Sequence, residues 1–213
     1  MAEMSTWEKI FLEKGLYWCH DGNPTHPHAL LTSGKHSSGF FNGSGVISDP
    51  RLCAQACKDL LALLDLPSGD FQVFGSALGA STLAYEMARQ TGMRCGFTEP
   101  VVDEITKKKS MKLKRFSFKS GTYILVCEDV MTTGGTTLET IAALEAAGGN
   151  VLGDIAVLVN RSGKSTLNGR GLIALVDREL PTWDPAKEIC PLCAGGSEVV
   201  RPKAYWGALT NPK

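Results

Sequence analysis

The chain reads as an α/β protein: a doubly wound, mainly parallel sheet flanked by helices, with a small N-terminal hood. Three observations predict this. Short β-branched apolar runs alternate with segments of helical period from residue 71 to 176. One run, residues 122–127, is apolar without interruption, as expected of a strand buried on both faces. No segment repeats, which sets solenoids and propellers aside.

In chain order, Ser5-Thr6-Trp7-Glu8 has the form of a capping box and opens a helix running to about Lys14. Residues 15–48 are rich in Gly, Ser, His, Asn and Pro, with apolar pieces at 29–31 and 40–41. They read as turns with one or two short strands. Asp49-Pro50 supplies an N-cap and a proline at the first helical position, and Leu52, Ala56, Leu60 and Leu64 continue a stripe to Asp65. A strand is expected at 71–74, a helix at 77–90 and a strand at 93–98. Beyond the central strand come a helix at 138–147, closed by Gly148-Gly149-Asn150, and strands at 154–159 and 172–176. The expected organisation is a hood at 1–48, a core at 49–180 and a partly irregular extension at 181–213.

Twenty-two basic residues offset 22 acidic ones in 213, so no global field favours nucleic acid or an anionic membrane. The first residues lack the basic and apolar segments of a signal peptide, and no apolar run reaches the roughly 18–20 residues that span a bilayer. Seven scattered cysteines read as reduced thiols, and a cytoplasmic location is expected.

The chemistry concentrates where the central strand ends. Glu128 and Asp129 are followed by Val130, Met131 and then Thr132-Thr133-Gly134-Gly135-Thr136-Thr137, at the expected start of a helix. Glycines let the backbone approach an anion, hydroxyls donate, and a helix N-terminus offers free N–H groups and a favourable dipole. The acids suit vicinal hydroxyls or a hydrated Mg²⁺, which keeps several waters and takes one or two carboxylates. A phosphate beside a diol describes a ribose 5-phosphate.

This run resembles the PRPP (phosphoribosyl pyrophosphate) motif of type I phosphoribosyltransferases. Leu30-Leu-Thr-Ser-Gly-Lys-His-Ser-Ser38 with Phe40-Phe41-Asn42 is similar to the hood of the orotate members. Gly75-Ser76-Ala77-Leu78-Gly79 is similar to the family's pyrophosphate loop, and Arg161 falls where the family places an arginine beside the base. The resemblance implies phosphoribosyl transfer from PRPP to orotate with release of pyrophosphate. It implies PRPP binding by Glu128, Asp129, Val130, Met131, Thr132, Thr133, Gly134, Gly135, Thr136, Ser76 and Ala77. It places the base at Lys35, Phe40, Phe41, Thr132 and Arg161, and Mg²⁺ at Asp129, directly or through water. It further implies a cytoplasmic homodimer. The nucleophile belongs to the base, so the protein positions substrates and stabilises the leaving charge.

One departure stands out. Where many orotate enzymes carry Arg-Lys-Glu in a mobile catalytic loop, this chain has Phe97-Thr98-Glu99-Pro100, and proline supplies no cation. Lys107, Lys108 and Lys109 are the candidate replacements, a solvated basic face the plain alternative. Another base, or a PRPP-binding regulator without catalysis, are the competing functions.

Other signals are weaker. Cys190-Pro-Leu-Cys193 is a lone CxxC, and zinc would need further ligands from far off, with Cys19-His20 and Cys53/Cys57 considered, so reduced structural cysteines are expected. His20, His26, His28 and His36 match no compact metal motif and read as loop or substrate-rim residues. Gly163-Lys164-Ser165 ends like a P-loop, but position 158 is Leu158 where Gly is required. Trp183 and Trp206 read as packing anchors.

Overall fold

The structure is a computed structural model that describes residues 4–210. The elements in chain order are α1 (Thr6–Glu13), β1 (Tyr17–Cys19), β2 (His28–Leu30), β3 (His36–Ser37), β4 (Gly39–Phe41), α2 (Gly43–Ile47), α3 (Pro50–Leu61), β5 (Phe71–Ser76), α4 (Ser81–Thr91), β6 (Arg94–Val102), β7 (Lys109–Lys112), β8 (Tyr123–Met131), α5 (Gly135–Ala146), β9 (Asn150–Asn160), β10 (Thr166–Leu167), β11 (Arg170–Asp177), β12 (Thr182–Trp183), α6 (Pro191–Ala194), β13 (Val199–Val200) and α7 (Trp206–Thr210). They divide into two compact units, one made of the chain up to Asn42 together with everything from Glu179, the other of Gly43–Arg178.

The larger unit holds a seven-stranded sheet in the order β10-β11-β9-β8-β5-β6-β7. The five central strands run parallel, and the two edge strands, β7 and β10, are antiparallel to their neighbours. All five parallel strands therefore deliver their carboxyl ends to one edge, where ligands bind in open α/β sheets. Ile124, Val126, Ile155 and Val157 are buried with Ile141 and Leu144 of α5, and the ring of Phe74 meets Phe118 at 5.6 Å, edge to face. At about 1.5–3 kcal/mol for each large apolar side chain, this burial fixes the helix to the sheet.

Several elements run longer than the sequence periodicity suggests. β8 carries Glu128 and Asp129 inside the strand, because Val130 and Met131 still pair with Val159 and Asn160. β6 continues to Val102 and turns back into β7, so the basic segment forms a hairpin rather than an open loop. Pro100 lies beyond Thr98, the last residue paired with β5, so its missing N–H takes no bond from that central strand. α4 begins at Ser81, not near 77, since residues 77–80 turn back over the end of β5. α3 stops at Leu61, short of Asp65.

The smaller unit has more order than its composition signals. Residues 15–48 hold four short strands rather than one or two, plus α2 of the larger unit. β1 pairs with β4, and a second sheet runs β12-β3-β2-β13, joining both ends of the chain. The Ser5 capping box forms as expected. Trp206 anchors as expected, its ring nitrogen donating to the Gly15 carbonyl at 3.1 Å. Among the described residues no helix is long and apolar enough to cross a membrane, and all seven cysteines are free.

Gly134 caps the start of α5 at φ +82°, and a Cβ there would meet Leu167 Cδ1 at 2.5 Å. Gly134→Ala should therefore lower stability by about 1–2 kcal/mol through left-handed strain alone, read as a reduced urea midpoint at unchanged m-value. An unaltered midpoint would mean that this turn is not held as described.

Candidate active site

The centre of the site is a buried carboxyl. Glu128 on β8 is only 6% exposed. Ser76, at the end of β5, donates its hydroxyl to both carboxyl oxygens at 2.9 and 3.1 Å, and Thr137, in the first turn of α5, donates to Oε2 at 2.8 Å. Burial pushes the Glu128 carboxyl up to about 8, with Asp129 adding to the rise, while the Thr137 and Ser76 hydroxyls oppose it. Cys127, fully buried alongside, has its thiol raised well above its ordinary value by burial first and the Glu128 charge second, and is not a nucleophile.

Asp129 faces differently. It is half-buried, and its Oδ1 accepts the Val130 amide at 2.8 Å. A Cβ built on Gly79 would stand 2.5 Å from Asp129 Oδ2, so the loop between β5 and α4 lies directly against this carboxylate, and any larger residue would push the carboxylate aside. Within that loop Ala77 gives its amide to Thr98 O at 2.8 Å, and Ala80 and Ser81 bond back to Ser76 and Leu78. Among the described residues, the amides of Leu78 and Gly79 are the loop's donors without such a bond.

The Thr/Gly segment splits into two jobs. Thr132, Thr133, Gly135 and Thr136 are exposed. No side chain caps α5, so its leading amides stay available to an anion. Thr137 instead turns inward to Glu128, which removes it from the set of hydroxyls expected to serve a phosphate. Arg161 follows β9 at the same sheet edge and donates its amide to Met131 O at 3.0 Å. The preceding Asn160 is buried and fixes the turn, its amide donating to Lys164 O at 2.7 Å and Asp177 Oδ1 at 3.0 Å.

The structure thus brings Glu128, Asp129, Val130, Met131, Thr132, Thr133, Gly134, Gly135, Thr136, Ser76, Ala77 and Arg161 to one edge of the larger unit. Two of these differ from expectation: Ser76 spends its hydroxyl on Glu128, and the Ala77 amide is already bonded. Lys107 and Lys108 form the tip of the β6–β7 hairpin and Lys109 begins β7, all exposed. The tip is shaped by Asp103, whose carboxylate accepts the Thr106 amide at 2.7 Å and the Ile105 amide at 3.0 Å; these bonds, the Thr106 amide first, hold its carboxyl below the usual range.

Lys35, Phe40 and Phe41 belong to the smaller unit. Lys35 closes the turn between β2 and β3, its carbonyl accepting the Leu31 amide at 2.8 Å. Phe41 is 1% exposed, stacked on Tyr17 at 4.2 Å and edge-on to Phe11 at 5.4 Å. A ring enclosed on both sides in this way packs in the core of the smaller unit. Phe40 is half-buried and meets Trp206 at 5.8 Å. A surface groove at the amino ends of β5, β6 and β8, lined by Gln72, Arg94 and Tyr123, is at the opposite edge from the acids and holds none of these groups.

What sequence reasoning missed was the inward role of Thr137. The signal was present: Thr137, Thr140, Ile141 and Leu144 recur at helical spacing and form the buried stripe of α5.

The architecture is that of type I phosphoribosyltransferases. A crystal structure of orotate phosphoribosyltransferase from Aeropyrum pernix superposes with a TM-score of 0.64 at 22% identity, covering 79% of this chain and 92% of that one. Orotate phosphoribosyltransferase from Acidithiobacillus ferrooxidans is 36% identical over 184 residues, 85% of this chain and 91% of its own length. The Caldicellulosiruptor bescii enzyme of the same name is 39% identical over 176 residues, 82% of this chain and 87% of its own. No family model matches the chain. On these relatives the chain belongs to the orotate phosphoribosyltransferase family.

The raised Glu128 carboxyl has a measurable consequence. Between pH 4.5, its ordinary value, and about 8 the unfolded chain has lost this proton while the folded chain keeps it. Stability therefore falls as pH rises through that window, by at most about 1.4 kcal/mol per pH unit. Glu128→Gln, which still accepts from Ser76 and Thr137, should remove this slope. Melting temperatures of the two proteins should approach or cross as pH goes from 5 to 8; parallel curves would show that Glu128 titrates normally.

Proposed function

We propose that this protein transfers the 5-phosphoribosyl group of PRPP to orotate, releasing pyrophosphate and forming orotidine 5′-monophosphate. The observation that carries this is the β8–α5 connection: a buried acid, a half-buried acid, then exposed Thr132, Thr133, Gly135 and Thr136 at an uncapped helix start. The family relationship supplies the substrates.

The 5-phosphate sits on Thr132–Thr136, where hydroxyls, amides and the α5 dipole converge. The 2- and 3-hydroxyls of the ribose meet Asp129 and the accessible side of Glu128. The pyrophosphate lies on the Ser76–Gly79 loop, with the Leu78 and Gly79 amides as donors. In the reaction the bond from ribose C1 to the pyrophosphate oxygen breaks, a bond from C1 to the base nitrogen forms, and the electron pair leaves with pyrophosphate. Donors fixed on that leaving charge lower the barrier. Lys107, Lys108 or Lys109 contributes a cation from the hairpin, replacing the one Pro100 does not provide. Arg161 and Thr132 serve the base in the larger unit.

A single half-buried carboxylate with one oxygen already bonded suits a Mg²⁺ that keeps most of its waters. Asp129 would hold it, and the ion would neutralise pyrophosphate charge. The protein acts as a homodimer in the cytoplasm.

Pyrophosphate release with PRPP, Mg²⁺ and each of orotate, uracil, adenine, guanine and hypoxanthine tests the assignment. Orotate alone should support rapid turnover. Turnover with a purine only, or none with any base, would overturn it. Asp129→Asn should cost about 10²–10³ in kcat/KM. Gly79→Ala, which pushes against the Asp129 carboxylate, should raise KM for PRPP while the fold persists. Lys107, Lys108 and Lys109 changed singly to Ala should identify the working cation by a loss of about tenfold or more in kcat; three unaffected variants would make the hairpin a solvated basic face.

A further inference from the structure

Two of the four histidines, His28 and His36, and the CxxC, unrelated in the sequence, meet in the smaller unit. His28 and His36 lie on the paired strands β2 and β3 rather than in loops, and Cys190 and Cys193 bracket α6. The ligand-capable atoms of all four lie within 4.8 Å of one another. His28 Nε2 is 3.2 Å from His36 Nδ1, 3.6 Å from Cys190 Sγ and 3.4 Å from Cys193 Sγ; Cys193 Sγ is 3.2 Å from His36 Nδ1. Zinc bound tetrahedrally at about 2.3 Å to sulfur and about 2.0–2.1 Å to nitrogen has ligand–ligand edges of about 3.3–3.8 Å. Four of the six spacings, at 3.2–3.6 Å, lie at or just below such edges, and all six are within 4.8 Å.

We propose that His28 Nε2, His36 Nδ1, Cys190 Sγ and Cys193 Sγ form a structural Zn²⁺ site. Three features beyond spacing support it. Ser197 donates its hydroxyl to the His26 carbonyl at 2.6 Å, so its oxygen accepts from His28 Nδ1 at 2.8 Å. That bond fixes the tautomer with the Nε2 lone pair turned to the cluster, the outer support that metal-bound histidines ordinarily have. Secondly, a two-iron cluster would put thiolates and imidazoles on different irons, whereas here sulfur and nitrogen are as close as neighbours on one ion. Thirdly, the sheet β12-β3-β2-β13 consists of strands of two or three residues. Pairings that short are marginal alone, and an ion joining β2, β3 and α6 would hold the C-terminal segment to the N-terminal one. All four positions are filled by protein, so the role is structural rather than catalytic.

The test is metal analysis of the full-length protein, expressed with zinc in the medium and purified without a metal-affinity tag. About one zinc per chain is expected by mass spectrometry of the elements. Replacing it with Co²⁺ should give intense visible bands of a tetrahedral site and a near-ultraviolet thiolate-to-cobalt band. Cys193→Ala and His36→Ala should retain less than about a tenth of the zinc, while Cys19→Ser and Cys95→Ser keep it. Zinc far below one per chain together with no thiolate–cobalt band in the wild-type protein would overturn the proposal. So would full zinc retention in the Cys193→Ala/His36→Ala double variant. The cobalt spectrum needs no variant, so misfolding of a substituted chain does not leave the question open.

Discussion

The structure of the larger unit depends on one buried interaction, the carboxyl of Glu128 held between the hydroxyls of Ser76 and Thr137. Those three residues belong to β5, β8 and α5. A carboxyl taken out of water is costly unless hydrogen-bonded, and it can be satisfied here only if both strand ends and the helix start arrive together. The same bonds therefore fix where the Ser76–Gly79 loop and the Thr132–Thr136 segment open. Asp129, one residue on, is left half-buried and pressed against Gly79. One acid organises this edge of the sheet, and its neighbour faces the loop after β5.

This division explains why the two acids are not equivalent although the sequence presents them as a pair. Alternation along a strand sends adjacent side chains to opposite faces. Glu128 turns into the space beneath α5; Asp129 turns toward the loop after β5. The raised carboxyl of Glu128 follows from that geometry and from its burial.

Much of this was legible in the sequence. The apolar run before Glu128, the glycines and threonines after it, and the strand–helix alternation gave the sheet and the exposed loop that opens α5 directly. The basic segment was misread in form because six cations in nine positions hide the inward Met111, which is buried between half-buried Ser110 and exposed Lys112, and pairing with β6 decides the structure. That Phe41 rather than Phe40 is the buried ring was not legible, because an aromatic pair in a motif does not reveal which ring the core takes. The His/Cys cluster was illegible for a different reason. His36 and Cys193 are 157 positions apart, and local spacing carries no information about strands that meet through the fold.

The most direct measurement of the central claim is a crystal structure of the protein with PRPP bound. The 5-phosphate should lie on the amides and hydroxyls of Thr132–Thr136, with the ribose hydroxyls at Asp129 and Glu128 and the Ser76 and Thr137 bonds to Glu128 intact. A phosphate seated elsewhere, or Glu128 released from both hydroxyls to reach the sugar, would contradict it.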